Sequence, residues 1–391
     1  MTRHVIIGLG VAGAEAAEEI RRRDPDGEIT ILNGEGTPFY FRPALSWLLK
    51  GRITGDEVNA RPLDWTQRRN LTIISEKAVC VDTETKTVST ESGRQIGYDK
   101  LLVTAGAQAV KPSWTGVDLR GVFTYRTLGD TLAMAEHVEK VNAKNAVVVG
   151  GGILGVELAE IFHHMGLAVT LIVREARILS LLFDETASSI VARRMESSNV
   201  KIVTDANVKS IIGNDGRVSG VEVESGARFA ADIVCAAIGT RPMTGFLSSS
   251  GLMVDGRLIV NNRLETAAQD VYAAGDISMR QTQSGFIPCR TWLTAAEQGR
   301  LAGANMTGAG LLHNSAESFF NASTVFGGFY AVIGRFDAQE GGAAQNRVVS
   351  HSGDVYVKIV TENGKTIGGT CLGDMRSALS IRRVVMERGA E

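Results

Sequence analysis

Three glycines spaced G-x-G-x-x-G, Gly8, Gly10 and Gly13, stand directly behind the apolar run Val5-Ile6-Ile7. Glycines so spaced after a strand make a seat for a pyrophosphate. Gly8 permits a tight turn, Gly10 lets a phosphate approach the backbone, and Gly13 lets the following helix pack close to the strand. Glu35 follows about 20 residues on, where a carboxylate can accept the hydroxyls of an adenosine ribose. Arg42, in Phe39-Tyr40-Phe41-Arg42-Pro43, can reach a pyrophosphate as a delocalised cation or can form a surface ion pair. A second set, Gly150, Gly152 and Gly155, repeats the spacing behind a second apolar run, Ala146–Val149. Two such turns in one chain imply two dinucleotides, or one enzyme with two nucleotide domains.

The end of the strand that follows the second turn bears on which nucleotide binds. Val173 holds the position where a carboxylate would take an NADH ribose and repel a 2′-phosphate. Arg174 follows, with Arg177 nearby, and arginine accommodates a 2′-phosphate; Glu175 is adjacent and can bind the ribose instead. The reading tilts toward NADPH and leaves both nucleotides open.

Further along, Val271-Tyr272-Ala273-Ala274-Gly275-Asp276 reads as a short strand and a turn that ends in a carboxylate. Asp276 is either a helix cap or the acceptor for the ribityl hydroxyls of a flavin, and the first glycine turn favours the second role. Trp292 opens a long helix whose N-terminus, aimed at a flavin pyrimidine, would stabilise negative charge on the reduced ring. The cysteines, Cys80, Cys235, Cys289 and Cys371, form no C-x-x-C, so no redox dithiol, zinc knuckle or iron–sulfur pattern is present. Cys80 and Cys235 lie in apolar runs and read as core residues. Cys289, beside the Trp292 helix, has a minor claim to reactivity. His163 and His164 are sequence neighbours, point to different helix faces and make a poor metal pair.

The elements that position these residues alternate as an α/β chain requires. Continuous apolar runs mark buried parallel strands at Val5–Ile7, Ile29–Leu32, Leu101–Val103, Ala146–Val149, Val169–Val173 and Ile233–Ile238. Helices are expected over Ala12–Arg22, Ala44–Lys50, Leu128–Val141 and the stretch from Gly152 to about Gly166. Short strands are expected at Thr72–Ile74, Ala78–Val81, Thr87–Thr90, Lys201–Val203 and Val218–Val223. Thr104-Ala105-Gly106 ends a buried strand, and Arg241-Pro242 marks a return to the first domain. Residues 311–391 differ in texture. They read as a small meander (Phe329–Ile333, Val355–Val360, Thr366–Leu372) and a terminal helix, Met375 to Arg388.

The 391 residues, with 44% hydrophobic and 21% charged content, describe an ordinary globular chain with room for two or three domains. A net charge of −2 creates no field for nucleic acid or anionic lipid. No apolar run reaches the roughly 20 residues that span a bilayer. The first strand begins within five residues of Met1, leaving no space for a signal peptide, so the cytoplasm is the expected compartment. No nucleic acid and no membrane is expected as a partner.

The ordered set of motifs resembles the two-dinucleotide flavoproteins of the pyridine nucleotide–disulfide oxidoreductase family. The set is the first glycine turn, Glu35, Tyr40-x-Arg42-Pro43-x-Leu45-Ser46, Thr104-Ala105-Gly106, the second glycine turn with Glu157, Gly239-x-Arg-Pro, and Thr266 through Asp276. It covers nearly the whole chain. The Tyr-x-Arg-Pro-x-Leu-Ser stretch and the Trp292-x-x-Ala-x-x-Gln-Gly helix narrow the likeness to rubredoxin and ferredoxin reductases and to the flavin module of NADH-dependent nitrite reductases.

The resemblance implies an α/β fold, glutathione-reductase-like, with two Rossmann-like three-layer nucleotide-binding domains and a small α+β C-terminal domain. It implies FAD in 1–110 with 241–310, NAD(P)H in 111–240, and an interface domain over 311–391. Gly8, Gly10, Gly13, Glu35, Arg42, Pro43, Ala105, Gly106, Gly275, Asp276 and Trp292 would contact FAD. Gly150, Gly152, Gly155 and Arg174 would contact the nicotinamide nucleotide, with Glu157 near the nicotinamide. Two departures stand out. No cysteine lies between Phe41 and Trp47, which argues against disulfide chemistry. Trp47 stands where many ferredoxin reductases carry a lysine near flavin N5, so Glu157 is expected to lack its cation.

The expected reaction runs from NAD(P)H to FAD by hydride transfer, then directly to an acceptor. A small one-electron carrier, rubredoxin or ferredoxin, suits a flavin without a dithiol. Such carriers are often acidic, which makes Arg21–Arg23 and Arg382–Arg383 candidate docking cations. An NAD(P)H oxidase using oxygen is the second reading, and a flavin-binding redox sensor or interaction protein the third. The chain is expected to be a monomer or a homodimer.

Overall fold

The computed structural model describes residues 1–282, 285–289, 291–313, 319–338 and 343–387. The chain divides into two compact units. One comprises Met1–Pro43, Gly55–Gln108 and Arg241–Asn314, the other Ala44–Thr54, Ala109–Thr240 and Ser315–Glu391.

The first unit is built on a parallel sheet in the order Val271–Ala273, Lys100–Val103, Arg3–Ile7, Glu28–Leu32, Thr72–Ile74. Its strands are apolar on both faces because both faces are covered. Ile6 sits between Ile31 and Leu102 in register, and all three are fully buried. The outermost strand comes from late in the chain, pairing Val271 with Leu101, and this returns the Asp276 turn to the sheet that carries the first glycine turn. Helices Val11–Arg23 and Trp292–Met306 pack together, and Ala12, Ala16, Ala295 and Ala302 join the sheet residues in one core. An antiparallel three-stranded sheet, Ala78–Asp82, Thr87–Thr90 and Gln95–Gly97, adds Val81 and Val88 to it. Strands Met253–Val254, Arg257–Val260, Ser278–Thr282 and Gly285–Pro288 form a further sheet that the sequence pattern did not announce.

The second unit repeats the plan, with the parallel order Lys201–Val203, Ala168–Ile172, Asn145–Val149, Ile233–Ala236, Val122–Thr124. Val148 pairs with Leu171 on one side and Cys235 on the other. Ile233–Ala236 ends two residues before the expected Ile238. Helix Glu185–Ser197, capped by the Asp184 carboxylate accepting from Ala187 N, was not foreseen.

The C-terminal stretch of this unit is a five-stranded antiparallel sheet in the order Phe320–Val325, Gly328–Gly334, Lys365–Leu372, Val355–Glu362, Ala344–Ser352. It is larger than the expected meander, and Gly328–Gly334 pairs with Lys365–Leu372, the last strand, rather than with the next in sequence. Helix Met375–Glu387 lays Ala378, Ile381 and Val385 on Ala331, Ile333 and Cys371. The expected helix end, Arg388, lies outside the described residues. Among the described residues no helix is long and apolar enough to cross a membrane.

Candidate functional site: two glycine turns and a buried carboxyl

The first glycine turn leaves strand Arg3–Ile7 with Gly8 at φ +108, its N–H donating to Leu32 O at 2.8 Å. A methyl on Gly8 would overlap Thr104 O, and one on Gly13 would overlap Gly8 O. Those two glycines therefore set how close strand, helix and neighbouring strand can come. Gly10 is different, since a methyl there would meet nothing within 4 Å. Gly10 is also the N-cap of helix Val11–Arg23, and no side chain caps that terminus. The result is an open space fronted by helix N-terminal amides, which is what an anion needs. Thr104 braces the turn from below, its hydroxyl 3.0 Å from both Ile7 O and Gly8 O. Ala105 packs against the core, and Gly106, at φ +71, accepts from Met243 N.

Glu35 is held from two sides. Tyr40 donates its phenol to Oε1 at 2.5 Å, and Arg42 donates to Oε2 at 3.1 Å with its guanidinium over the Tyr40 ring. Arg42 thus pairs with Glu35 here, and Pro43 follows in the 3₁₀ turn Arg42–Ala44. The indole of Trp292 stacks on Phe39 at 6.0 Å and meets Phe41 edge-on at 5.0 Å, which fixes the entry of helix Trp292–Met306. Gln298 of that helix accepts the Gly275 N–H at 2.8 Å and so holds the turn that carries Asp276. Cys289 is buried, and burial together with the Asp276 charge pushes its thiol up to about 12. Such a shift works against the minor claim to reactivity, because the thiolate is the nucleophile. Cys80 also departs from expectation, being half-buried with its sulfur 3.5 Å from the Ser249 hydroxyl.

The second glycine turn reproduces the first. Gly150, at φ +124, donates to Ile172 O at 2.8 Å. A methyl on Gly150 would overlap Ala237 O, one on Gly155 would overlap Gly150 O, and one on Gly152 would meet nothing within 4 Å. Gly152 is the N-cap of helix Ile153–His164, and again no side chain caps it. At the end of the next strand Val173 is fully buried. Arg174 is exposed and pairs with Glu175 at 2.8 Å, so the two residues that argue for opposite nucleotides hold each other. Arg177 points elsewhere, donating to Ser180 O and Phe183 O, and does not join Arg174.

Glu157 lies on the first turns of the same helix. Burial, and then the charge of Glu160, push its carboxyl up to about 7, while Lys50 pulls it down. Lys50, one turn beyond Trp47 at the cap of helix Leu45–Leu49, is the cation whose charge reaches Glu157, while its ion pair is with Glu160. Its Nζ lies 2.5 Å from Glu160 Oε2. Trp47 itself is 48% exposed. The sequence reading missed Lys50 and Glu160, although each stands three residues after a residue it singled out. It also missed Tyr125 and Tyr330, two buried phenols on which the Glu157 charge acts.

The arginine clusters are already engaged. Arg21 donates to the carbonyls of Asp24, Pro25, Gly27, Arg69 and Asn70, which makes it a brace between loops. Arg22 and Arg23 both pair with Glu19. Arg382 lies over the Phe320 ring at 4.2 Å, and Arg383 faces Glu387. His163 and His164 are both exposed, and among the described residues no group of His, Cys, Asp and Glu could hold a metal.

Comparison with known proteins agrees with this arrangement. The family model for pyridine nucleotide-disulphide oxidoreductases matches residues 2–299. The chain is 28% identical to the nitrite reductase [NAD(P)H] of Bacillus subtilis over 95% of its own length but only 45% of that protein. It is 30% identical to the rubredoxin-NAD(+) reductase of Ectopseudomonas oleovorans, covering 70% of this chain and 71% of that one. It is 29% identical to the NADH oxidase of Methanocaldococcus jannaschii, covering 96% and 88%. Among solved structures, putidaredoxin reductase in its covalent complex with putidaredoxin superposes with a TM-score of 0.90 at 22% identity, covering 99% of this chain and 93% of that one. The likeness to that structure is one of fold. The two open glycine turns and the family match over three-quarters of the sequence agree, and the chain belongs to the pyridine nucleotide-disulphide oxidoreductase family.

Proposed function

We propose that this chain is an FAD-dependent NAD(P)H oxidoreductase that passes electrons to a small carrier protein of the rubredoxin or ferredoxin kind. The observation that carries the reading is the duplication of one device. Each unit has a strand, a turn with two glycines spent on close packing, and a middle glycine left open at an uncapped helix N-terminus. That is a cradle a Cβ would fill, so the residues fit two dinucleotide pyrophosphates. Bound FAD would supply hydride acceptance from NAD(P)H and onward electron transfer.

The chain's own residues do the positioning. Gly10 and the first-turn amides of helix Val11–Arg23 receive the FAD pyrophosphate. Glu35 takes the adenosine ribose once its bonds to Tyr40 and Arg42 rearrange, which frees the Arg42 guanidinium for phosphate. Asp276 accepts the ribityl hydroxyls on a turn fixed by Gln298. Gly152 and the N-terminus of helix Ile153–His164 receive the nicotinamide nucleotide. Arg174 is the residue of that region that a 2′-phosphate can recruit, at the expense of Glu175. The free thiols of all four cysteines fit a reducing compartment, and we place the chain in the cytoplasm.

Direct oxidation by oxygen is a second reading, favoured by the extent of the match to the Methanocaldococcus NADH oxidase. The chain spans less than half of the nitrite reductase it matches, so its acceptor is part of the proposal. Stopped-flow reduction of the flavin-loaded protein with NADH and with NADPH, followed by rubredoxin, ferredoxin and oxygen as acceptors, tests both. Rapid carrier reduction supports the first reading, and oxygen uptake with no carrier reduction supports the second. Purified protein that is colourless and takes up no flavin overturns both.

A further inference from the structure

Residues 173–184 join strand Ala168–Ile172 to helix Glu185–Ser197, with Arg174 and Glu175 at the start of this loop. Midway along it Leu179 is buried at φ +54, a conformation that a bulky residue rarely adopts and that persists only where the surroundings impose it. Its N–H donates to Gly151 O at 2.6 Å, inside the second glycine turn. Ile178 O accepts the Ser188 hydroxyl at 2.8 Å, and Phe183 O accepts from Arg177 at 3.1 Å. The loop is therefore closed on itself, on the helix that follows and on the glycine turn.

Asp184 ends the loop and fastens it to the C-terminal sheet. One of its carboxylate oxygens accepts the Ala187 N–H at 3.0 Å, and the other takes the Tyr356 phenol at 2.7 Å and the Lys358 ammonium at 3.0 Å. Tyr356 and Lys358 both belong to strand Val355–Glu362. Lys358 is only 3% exposed and also faces Asp337 at 3.5 Å. Burial opposes the Asp184 charge, yet the Ala187 N–H, Tyr356 and Lys358 together hold its carboxyl below the usual range. Next to it the Phe183 ring meets Tyr330 edge-on at 5.9 Å. A buried ammonium repays its desolvation only through close partners, so the place of Asp184 is set tightly. The other end of helix Glu185–Ser197 is fastened separately, by Arg194 Nε donating to Asp354 Oδ2 at 2.9 Å. A methyl on Gly328 would overlap that guanidinium.

We propose that Lys358 is a positioning residue for the adenosine half of the nicotinamide nucleotide: through Asp184 it holds the loop of residues 173–184 against the second glycine turn. This role rests on the nicotinamide reading of that turn. The loop then meets the adenosine already shaped, and Lys358 lowers the cost of binding without touching the nucleotide. The hydride step itself is left alone, because the nicotinamide lies at the other end of the dinucleotide.

Steady-state kinetics of the flavin-loaded full chain, with ferricyanide as acceptor, test this. The donors are NADH, NADPH and reduced nicotinamide mononucleotide, which lacks the adenosine half. Lys358→Met is expected to raise KM for NADH and NADPH several-fold, with kcat kept and KM for the mononucleotide unchanged. Tyr356→Phe removes one bond to the same carboxylate and is expected to show the same pattern more weakly; it carries the test should Lys358→Met fail to fold. Arg194→Met loosens the far end of the helix and is expected to lower Tm with every KM as in wild type. Unchanged KM values for NADH and NADPH in Lys358→Met, or in Tyr356→Phe where only that variant folds, overturn the role of Lys358. So does a rise that extends equally to the mononucleotide, or one that Arg194→Met reproduces, since either marks general loosening. A wild type that uses the mononucleotide as well as NADH and NADPH overturns instead the placement of a nicotinamide dinucleotide at the second turn.

Discussion

Gly299 faces the main-chain carbonyl of Ala12 so closely that a methyl group on it would overlap Ala12 O, Cα and C. One turn on, Gly303 stands in the same relation to Ala16. The helices Trp292–Met306 and Val11–Arg23 thus meet backbone to backbone, which aligns the first glycine turn with the turn that Gln298 holds at Gly275. Alanine at Gly299 has no flexible neighbour to displace. Gly299→Ala is expected to destabilise the protein by about 1–3 kcal/mol, as overpacking of a tight core does. Thermal unfolding would show a lowered Tm and lowered flavin retention together; a variant with wild-type Tm would mean the helices can part without cost.

The glycines of the first turn separate packing from binding. Gly13→Ala forces a methyl into Gly8 O and is expected to destabilise the flavin-free protein. Gly10→Ala places its methyl in open space, so the flavin-free protein should melt as wild type does while flavin affinity falls at least tenfold. Gly152→Ala should do the same in the other unit, raising KM for NAD(P)H with flavin content intact. Titration calorimetry and steady-state kinetics read these outcomes. An undiminished flavin affinity in Gly10→Ala would remove the pyrophosphate from that turn.

Much of this was legible because buried parallel strands write themselves as uninterrupted apolar runs. Val5-Ile6-Ile7 and Ala146–Val149 declare their glycine turns without any knowledge of partners. Helix Glu185–Ser197 was harder to see, because Ala187, Ile190, Val191 and Met195 are spread among serines and arginines. Strand Ala344–Ser352 is mostly exposed at a sheet edge, and only its ladder to Val355–Glu362 makes it a strand. Arg21 read as a docking cation because two of its five carbonyl partners, Arg69 and Asn70, come from a loop distant in sequence. Lys50 went unnoticed for the same reason: its meaning depends on Glu160, more than a hundred residues away.

Asp99 gives the acid limb of stability a testable contribution. Side-chain and backbone hydrogen bonds from Arg3 hold its carboxyl down to about 2, against an unfolded value of about 3.9. A carboxyl depressed by folding stabilises at pH values above its unfolded pKa, and that contribution drains away as pH falls from about 4 to about 2. Asp99→Asn should therefore flatten the stability profile across that window. Because the pair is exposed, the loss at neutral pH should stay within about 1 kcal/mol. Denaturant melts at stepped pH check this, and an unchanged acid limb would assign it to other carboxylates.

The cysteines yield a prediction about accessibility and thiolate content combined. Burial holds the Cys289 and Cys371 thiols up at about 12 and pushes Cys235 higher still. At pH 8 a thiol of pKa about 12 is ionised to about one part in 10⁴, and the thiolate is the species that alkylates. Cys80 is the half-buried one, on a short strand with its sulfur beside Ser249. Native protein treated with iodoacetamide should thus be labelled at Cys80 first and at the other three only on unfolding, with turnover unaffected by the modification. Peptide mass mapping after timed exposure measures the order. Early labelling of Cys289 with loss of flavin reduction would restore a reactive thiol beside Asp276 and would require the electron path out of the protein to be redrawn through it.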